Sequence, residues 1–200
     1  MKKNLITTAM LFALPTIAFA NENTKTELAP IVVYSAYATP VNQDQTASSV
    51  TVLTEKDFAE RNATYVSDVL KTVPSLAVST SGGRGTLTNV FLRGADANHT
   101  AVIIDGVKAN PVSGYGFDFG GLALSNIERI EVLRGEQSAL WGSDAMGGVI
   151  YITTKKGLEK GKAFNVDYDF GTGSHRTVDG SLTLSGSNNG FYYALHGDSH

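Results

Sequence analysis

Between residues 164 and 170 the chain alternates without interruption: Phe164, Val166, Tyr168 and Phe170 are separated by Asn165, Asp167 and Asp169. Successive side chains of an extended strand point to opposite faces, so this run makes a ribbon that is apolar on one side and polar on the other. The pattern recurs, with Val178, Leu182 and Leu184 set against Thr177, Asp179, Ser181 and Thr183. An aromatic cluster, Phe191, Tyr192 and Tyr193, opens the next segment, and the connections at 171–174 and 186–190 consist of Gly, Ser, Thr and Asn, the residues of tight turns. Segments of about ten residues with this two-residue period and aromatic ends are the mark of transmembrane β-barrel strands. A soluble sheet that buries its apolar face on a core shows the same alternation, and the period alone leaves both open.

The other end of the chain bears on the compartment. Lys2 and Lys3 precede a largely apolar stretch at 5–19, and Ala18-Phe19-Ala20 has the small-x-small pattern of a cleavage site, so residues 1–20 read as a secretory signal peptide. That stretch is shorter than the roughly 20 apolar residues a spanning helix needs. Cleavage after Ala20 leaves 14 basic residues against 19 acidic, a mature net charge of about −5. No basic cluster is present, which argues against nucleic acid as a partner. The absence of cysteine removes disulfides and thiol chemistry. No other stretch has the length and apolarity of a membrane helix, so a membrane, if met, is crossed by strands.

Residues 21–27 are polar and are followed by a β-prone island, Pro30, Ile31, Val32, Val33, Tyr34, Ser35 and Ala36. Thr39-Pro40 and a polar tract through Ser48 come next. Such an island is either an edge strand or a segment offered to the sheet edge of a partner. From Ser49 the chain alternates short strands and helices. Thr54 is placed to cap a helix over 55–60, with Glu55 and Asp57 in its first turn. Thr64 is placed to cap a second helix carrying Val66, Val69, Leu70 and Val73 on one face, which Pro74 stops. Short strands are expected at 76–79, 90–92, 101–104, 130–133 and 149–153, separated by glycine-rich loops at 81–85 and 113–121. The fold class is therefore an α+β unit over 49–156 followed by antiparallel strands over 157–200.

Catalytic and cofactor motifs are missing. Gly83-Arg84-Gly85 lacks the third glycine of a dinucleotide loop, no phosphate-binding loop or nucleophile elbow occurs, and His99, His175, His196 and His200 are scattered. Glu128 and Glu131 flank Arg129 as ordinary ion pairs do. The expectation is a protein that is not an enzyme and has no cofactor.

The order of the segments carries more than any one of them. A leader, the Ile31-Val32-Val33 island, Val66-Ser67-Asp68-Val69-Leu70 through Pro74, Phe91-Leu92-Arg93-Gly94, and Ile104-Asp105-Gly106-Val107 follow one another. After them come Ile127-Glu128-Arg129-Ile130-Glu131-Val132-Leu133-Arg134-Gly135 and Trp141-Gly142-Ser143-Asp144-Ala145-Met146-Gly147-Gly148. This succession resembles the N-terminal part of TonB-dependent outer-membrane receptors. The resemblance implies a signal peptide at 1–20, a periplasmic segment at 21–48 with a TonB box near 30–36, a plug at 49–156 and the first barrel strands at 157–200. The loop at 81–88 and the spacing around Asp105 look most like cobalamin receptors, with siderophore and haem receptors close behind.

By that resemblance the chain resides in the cell outer membrane with its N-terminus facing the periplasm. Its partners are TonB, outer-membrane lipid and a small metal-chelate ligand: an iron-siderophore, haem or cobalamin. Pro30, Ile31, Val32, Val33 and Tyr34 pair with TonB as an added strand. Arg84, Thr86, Asn110, Ser113 and Tyr115 lie on plug apices that touch ligand, although loop residues also pack on one another. Arg84 as an apical cation suits an anionic siderophore or a haem propionate. Arg93 and Arg134 fasten plug to barrel wall, the alternative being partners within the plug such as Glu128, Glu131 or Asp105.

Barrels of this kind have about 22 strands, and the chain after Lys156 is long enough for three. The expectation is the front end of a receptor, a truncated or interrupted product or one whose remainder is encoded separately. A soluble periplasmic plug-like module that binds TonB without a barrel is the alternative. Replacing Val32 with proline, which removes a backbone donor, is expected to abolish TonB pairing in a pull-down while folding and ligand binding persist.

Overall fold

The computed structural model describes residues 32–34, 36–155, 163–172, 178–188 and 190–199; the leader expected at 1–20 lies outside them, as do Pro30 and Ile31. In chain order the elements are β1 (Val32–Val33), β2 (Val41–Asn42), β3 (Ser49–Thr54), α1 (Glu55–Glu60), α2 (Val66–Leu70), β4 (Leu76–Thr80), β5 (Thr88–Leu92) and β6 (Thr100–Ile104). They continue with β7 (Val107–Lys108), β8 (Ile127–Arg134), α3 (Ser138–Trp141), β9 (Gly148–Thr154), β10 (Asn165–Thr172), β11 (Val178–Asn188) and β12 (Phe191–Ser199).

Five strands make the central sheet in the order β3-β8-β9-β6-β7, antiparallel except for the parallel pair β6 and β9. The sequences of β6 and β9 are nearly continuous apolar runs, and β8 sends Ile130 and Val132 to one face and Leu133 to the other, because both faces of this sheet are covered. Val102, Ile130, Val132, Ile150 and Ile152 face one core, closed by Phe58 of α1, Val69 and Leu70 of α2, and Val90 and Leu92 of β5. Ala101, Ile103, Leu133 and Val149 face a second core, closed by Val33 and Ala36. Val33 and Ala36 of the N-terminal island are thus packed on the plug-like unit. β1 pairs antiparallel with β2, Val33 opposite Val41, a strand in a tract whose polarity gave no sign of one.

The last three strands form a separate meander, β10-β11-β12. Their alternation is resolved in the sense opposite to a soluble sandwich. Tyr168, Phe170 and Leu195 are 82%, 70% and 67% exposed, whereas Thr183 and Ser185 on the other face are 3% and 7% exposed. The polar face lies toward the plug: His196 of β12 stands 3.2 Å from the Ser125 hydroxyl through Nε2 and 2.8 Å from Thr183 Oγ1 through Nδ1. Burying hydroxyls and exposing aromatics is unfavourable in water and favourable where the outer solvent is hydrocarbon.

Both helices form where expected, with one change at a cap. Asp57 accepts from the Thr54 amide and hydroxyl, each at 2.8 Å, closing a capping box at the start of α1. At α2 the cap is Tyr65, whose amide reaches Asp68 Oδ2 at 3.3 Å, rather than Thr64. The Thr64 carbonyl accepts from the Leu124 amide at 2.9 Å, which fixes that residue in the connection before β8. A backbone bond from Val73 to the Leu70 carbonyl ends the helical turn just before Pro74.

The Asp57 carboxyl is held below its ordinary value, first by the Thr54 amide, with the Thr54 hydroxyl and Arg61 assisting against partial burial. A lowered folded pKa means that its stabilisation is complete above the unfolded value of 3.8 and is lost as pH falls through the folded value. Asp57→Ala is expected to cost about 0.5–1 kcal/mol at neutral pH, measured by urea unfolding, with the gap from wild type closing as pH falls below 3.8.

Candidate functional site

The segment expected to meet a partner strand is seated on the second core. Val33 is fully buried. The Tyr34 amide donates to Glu131 Oε2 at 2.8 Å. The Tyr34 ring stacks on Tyr151 with centroids 6.2 Å apart and 15° between planes. The Arg129 guanidinium lies 5.1 Å from the Tyr34 ring centroid and pairs with Glu131 at 3.1 Å. Trp141 meets the far side of this cluster, edge-on to Tyr151 at 5.9 Å. Sequence reasoning treated Glu131 as an ordinary ion-pair residue and passed over Tyr151. The available signal was a carboxylate inside an apolar strand, since a fully buried charge requires fixed partners.

The glycine-rich loops meet each other. Asp118 accepts from the Thr88 amide at 2.8 Å and the Gly120 amide at 2.9 Å, and the Phe119 amide reaches the Thr88 carbonyl at 3.0 Å. Gly120 is needed here because a Cβ would run into the Thr86 carbonyl oxygen. Thr86 itself donates through Oγ1 to the Gly83 carbonyl at 2.7 Å, and the exposed Arg84 sits 5.5 Å over the Tyr65 ring. Asn110 has both ends of its amide engaged, accepting from Val102 at 2.7 Å and donating to Thr100 at 2.9 Å, so it ties its loop to β6. Ser113 is exposed.

Tyr115 is 77% exposed and borders a cavity of about 250 Å³ that also involves Asn98, His99, Ser143, Asp144 and Met146. Lys108, 2.7 Å away, holds the Asp144 carboxyl below its ordinary range, with the Ser143 hydroxyl assisting against partial burial. The wall of this cavity is therefore a neutralised carboxylate rather than a free charge. The structure brings Arg84 and Thr86 together on one loop and sets Tyr115 at this cavity.

Arg93 and Arg134 end β5 and β8 near one another, since a Cβ on Gly135 would lie 3.4 Å from Arg93 Nη1. Arg134 donates to Ser49 Oγ at 2.8 Å and 3.1 Å and to the Pro74 carbonyl at 3.2 Å. Arg93 is exposed, with φ of 54°. Among the described residues neither arginine has a carboxylate partner. Glu131 is directed to Tyr34 and Arg129, and Asp105 accepts from the Thr154 amide at 3.1 Å and its hydroxyl at 2.5 Å.

A mixed sheet buried on both faces, glycine-rich loops packed together, and a meander with its polar face inward define a plug followed by barrel-type strands. Residues 42–149 match the TonB-dependent receptor plug domain, and the chain belongs to that family. It is 36% identical over 154 residues to a vitamin B12 transporter, BtuB, of Vibrio vulnificus strain YJ016, covering 77% of this chain and 25% of the relative. With the BtuB of strain CMCP6 it shares 32% over 191 residues, 95% of this chain and 31% of the relative. The chain thus spans about a quarter to a third of the length of these relatives. Among solved structures, the ferripyoverdine receptor of Pseudomonas aeruginosa matches with a TM-score of 0.67 at 24% identity, over 80% of this chain and 21% of that one. The ferric yersiniabactin receptor FyuA of Yersinia pestis matches with a TM-score of 0.54 at 23% identity, over 78% and 23%. These likenesses establish the fold.

The packing of the two loops has a direct check. Gly120→Ala is expected to cost about 1–3 kcal/mol, read by thermal unfolding, because the new methyl meets the Thr86 carbonyl. Gly83→Ala, with nothing within 4 Å of its Cβ position, is expected to cost less than about 0.5 kcal/mol.

Proposed function

We propose that this chain is the leader, TonB-contacting segment, plug and first wall strands of an outer-membrane receptor that imports a cobalamin or a ferric siderophore with energy delivered by TonB. The observation that carries the reading is the orientation of β10-β11-β12. Hydroxyl and imidazole groups turn toward the plug while Tyr168, Phe170 and Leu195 turn outward. A sheet so arranged is at home with lipid outside and a plug within.

In this reading residues 1–20 direct export, 21–48 carry the segment at 30–34, 49–156 form the plug and 157–200 begin the wall. Pro30, Ile31, Val32, Val33 and Tyr34 add as a strand to TonB, where main-chain bonding supplies affinity. Arg84, Thr86, Asn110, Ser113 and Tyr115 present the ligand-facing loops, with Asn110 as a brace. Arg93 and Arg134 face carboxylates of the wall, consistent with guanidinium groups that have none in the described plug. The two relatives named as vitamin B12 transporters support cobalamin as the first ligand to test. Arg84, 5.5 Å over the Tyr65 ring, keeps an anionic siderophore as the second candidate, since it offers a positioned cation.

The test is uptake. The complete reading frame containing this chain is expressed in cells lacking their own cobalamin and siderophore receptors, with and without TonB. The expected result is protein retained in the outer membrane after carbonate washing and TonB-dependent accumulation of labelled cyanocobalamin, or of a ferric siderophore should the ligand be the other class. Recovery as a soluble periplasmic protein, with no uptake of either, would replace this reading with the soluble plug-like module.

A further inference from the structure

We propose that Glu131 is a positioning residue that latches the segment at 30–34 to the plug, so that this one carboxylate sets how often the segment is free to pair with another chain. The inference rests on the reading of that segment as the TonB contact.

Strand addition requires an extended backbone with open hydrogen-bonding groups. Here its described part, residues 32–34, is engaged internally. Val33 is 0% exposed and pairs with Val41 of β2, and the Tyr34 amide is committed to Glu131. Glu131 is also the one charged side chain classed as buried among the described residues, at 0% exposure.

A carboxylate in such a place is stable only while its charge is balanced and its oxygens have donors. Arg129 balances the charge at 3.1 Å, and the Tyr34 amide serves Oε2. Arg129 also touches the Tyr34 ring, and Tyr151 stacks on it from β9. The latch is therefore cooperative: departure of Tyr34 removes a donor from Glu131, a ring from Arg129 and a stacking partner from Tyr151 in one step. Among the described residues, 32 and 33 are held by a two-residue pairing with β2 and by the burial of Val33. The charged hydrogen bond at the following residue decides whether the strand stays down.

A partner that binds only the released segment binds more weakly in proportion to the released fraction. Loss of a hydrogen bond to a charged group is a change large enough to move that fraction about tenfold. Loosening the latch should therefore strengthen partner binding, the reverse of what damage to a binding surface would do.

The experiment uses the full-length chain in detergent micelles. The sequence has no cysteine, so Ile31→Cys supplies a single site for a spin label. Glu131→Ala is expected to make the label more mobile than in the Glu131 protein. It should raise affinity for a soluble TonB carboxyl-terminal domain about tenfold, with Glu131→Gln, which keeps an acceptor oxygen, in between. If Glu131→Ala fails to fold, Tyr151→Leu is expected to shift the label in the same direction by removing the stacked ring.

A label equally restrained in the folded variants would overturn the latch. If the label loosens but no variant binds the TonB domain, the latch stands and the TonB reading of the segment falls.

Discussion

The sheet β3-β8-β9-β6-β7 has to be covered on both faces, and most of the remaining architecture answers that requirement. Its middle strands send apolar side chains to both faces, Val132 and Ile150 to one and Leu133 and Val149 to the other, so neither side can be left in water. Helices α1 and α2 with the hairpin β4-β5 cover one side. The other side is covered by the N-terminal strand with Val33 and Ala36, together with Trp141 of α3 and the buried Ala145. The segment proposed to pair with TonB is thus also part of the plug's own packing.

That double duty explains why a charge lies in the second core. A strand held by apolar burial alone would be costly to lift, because Leu133, Ile103 and Val149 would be exposed to water. Glu131 is placed so that the same cover depends on a polar contact with definite geometry, shared among Tyr34, Arg129 and Tyr151. Hydrogen bonds to charged groups are strong but directional. An arrangement of this kind gives two discrete states, seated and released, instead of a continuum of loosened ones.

The meander obeys a different solvent. Its apolar side chains point outward and its hydroxyls inward, with His196 touching Ser125 of the plug and Thr183 of its own sheet. The plug follows the rule of water outside, and the meander follows the rule of lipid outside. The chain changes rule between Thr154 and Asn165, the ends of β9 and β10.

The local grammar was legible before any coordinates. Thr54 with Asp57 set the start of α1, the apolar spacing from Val66 set α2, and the two-residue period set β10 to β12, because these signals act over neighbouring residues. The cap of α2 moved from Thr64 to Tyr65 because Thr64 is drawn to Leu124, a contact 60 positions away in the chain. The strand at Val41–Asn42 was hidden for a similar reason, since its partner and not its composition makes it a strand. The sense of the alternation, which face is buried, was also not written in the period.

The ligand-facing loops show the same division. Glycine at 120 could be read as freedom of backbone, whereas its close approach to Thr86 is a property of two loops meeting. Asn110 looked like an apical polar group and proves to be held at both ends of its amide by β6. By itself the sequence determined the longer elements, their order and the kinship, since these rest on short-range spacing and on motifs in series. Only the tertiary structure decided where the buried carboxylate of Glu131 would find its donor, because the amide of Tyr34 and the side chain of Glu131 are brought together by a sheet that no local rule describes.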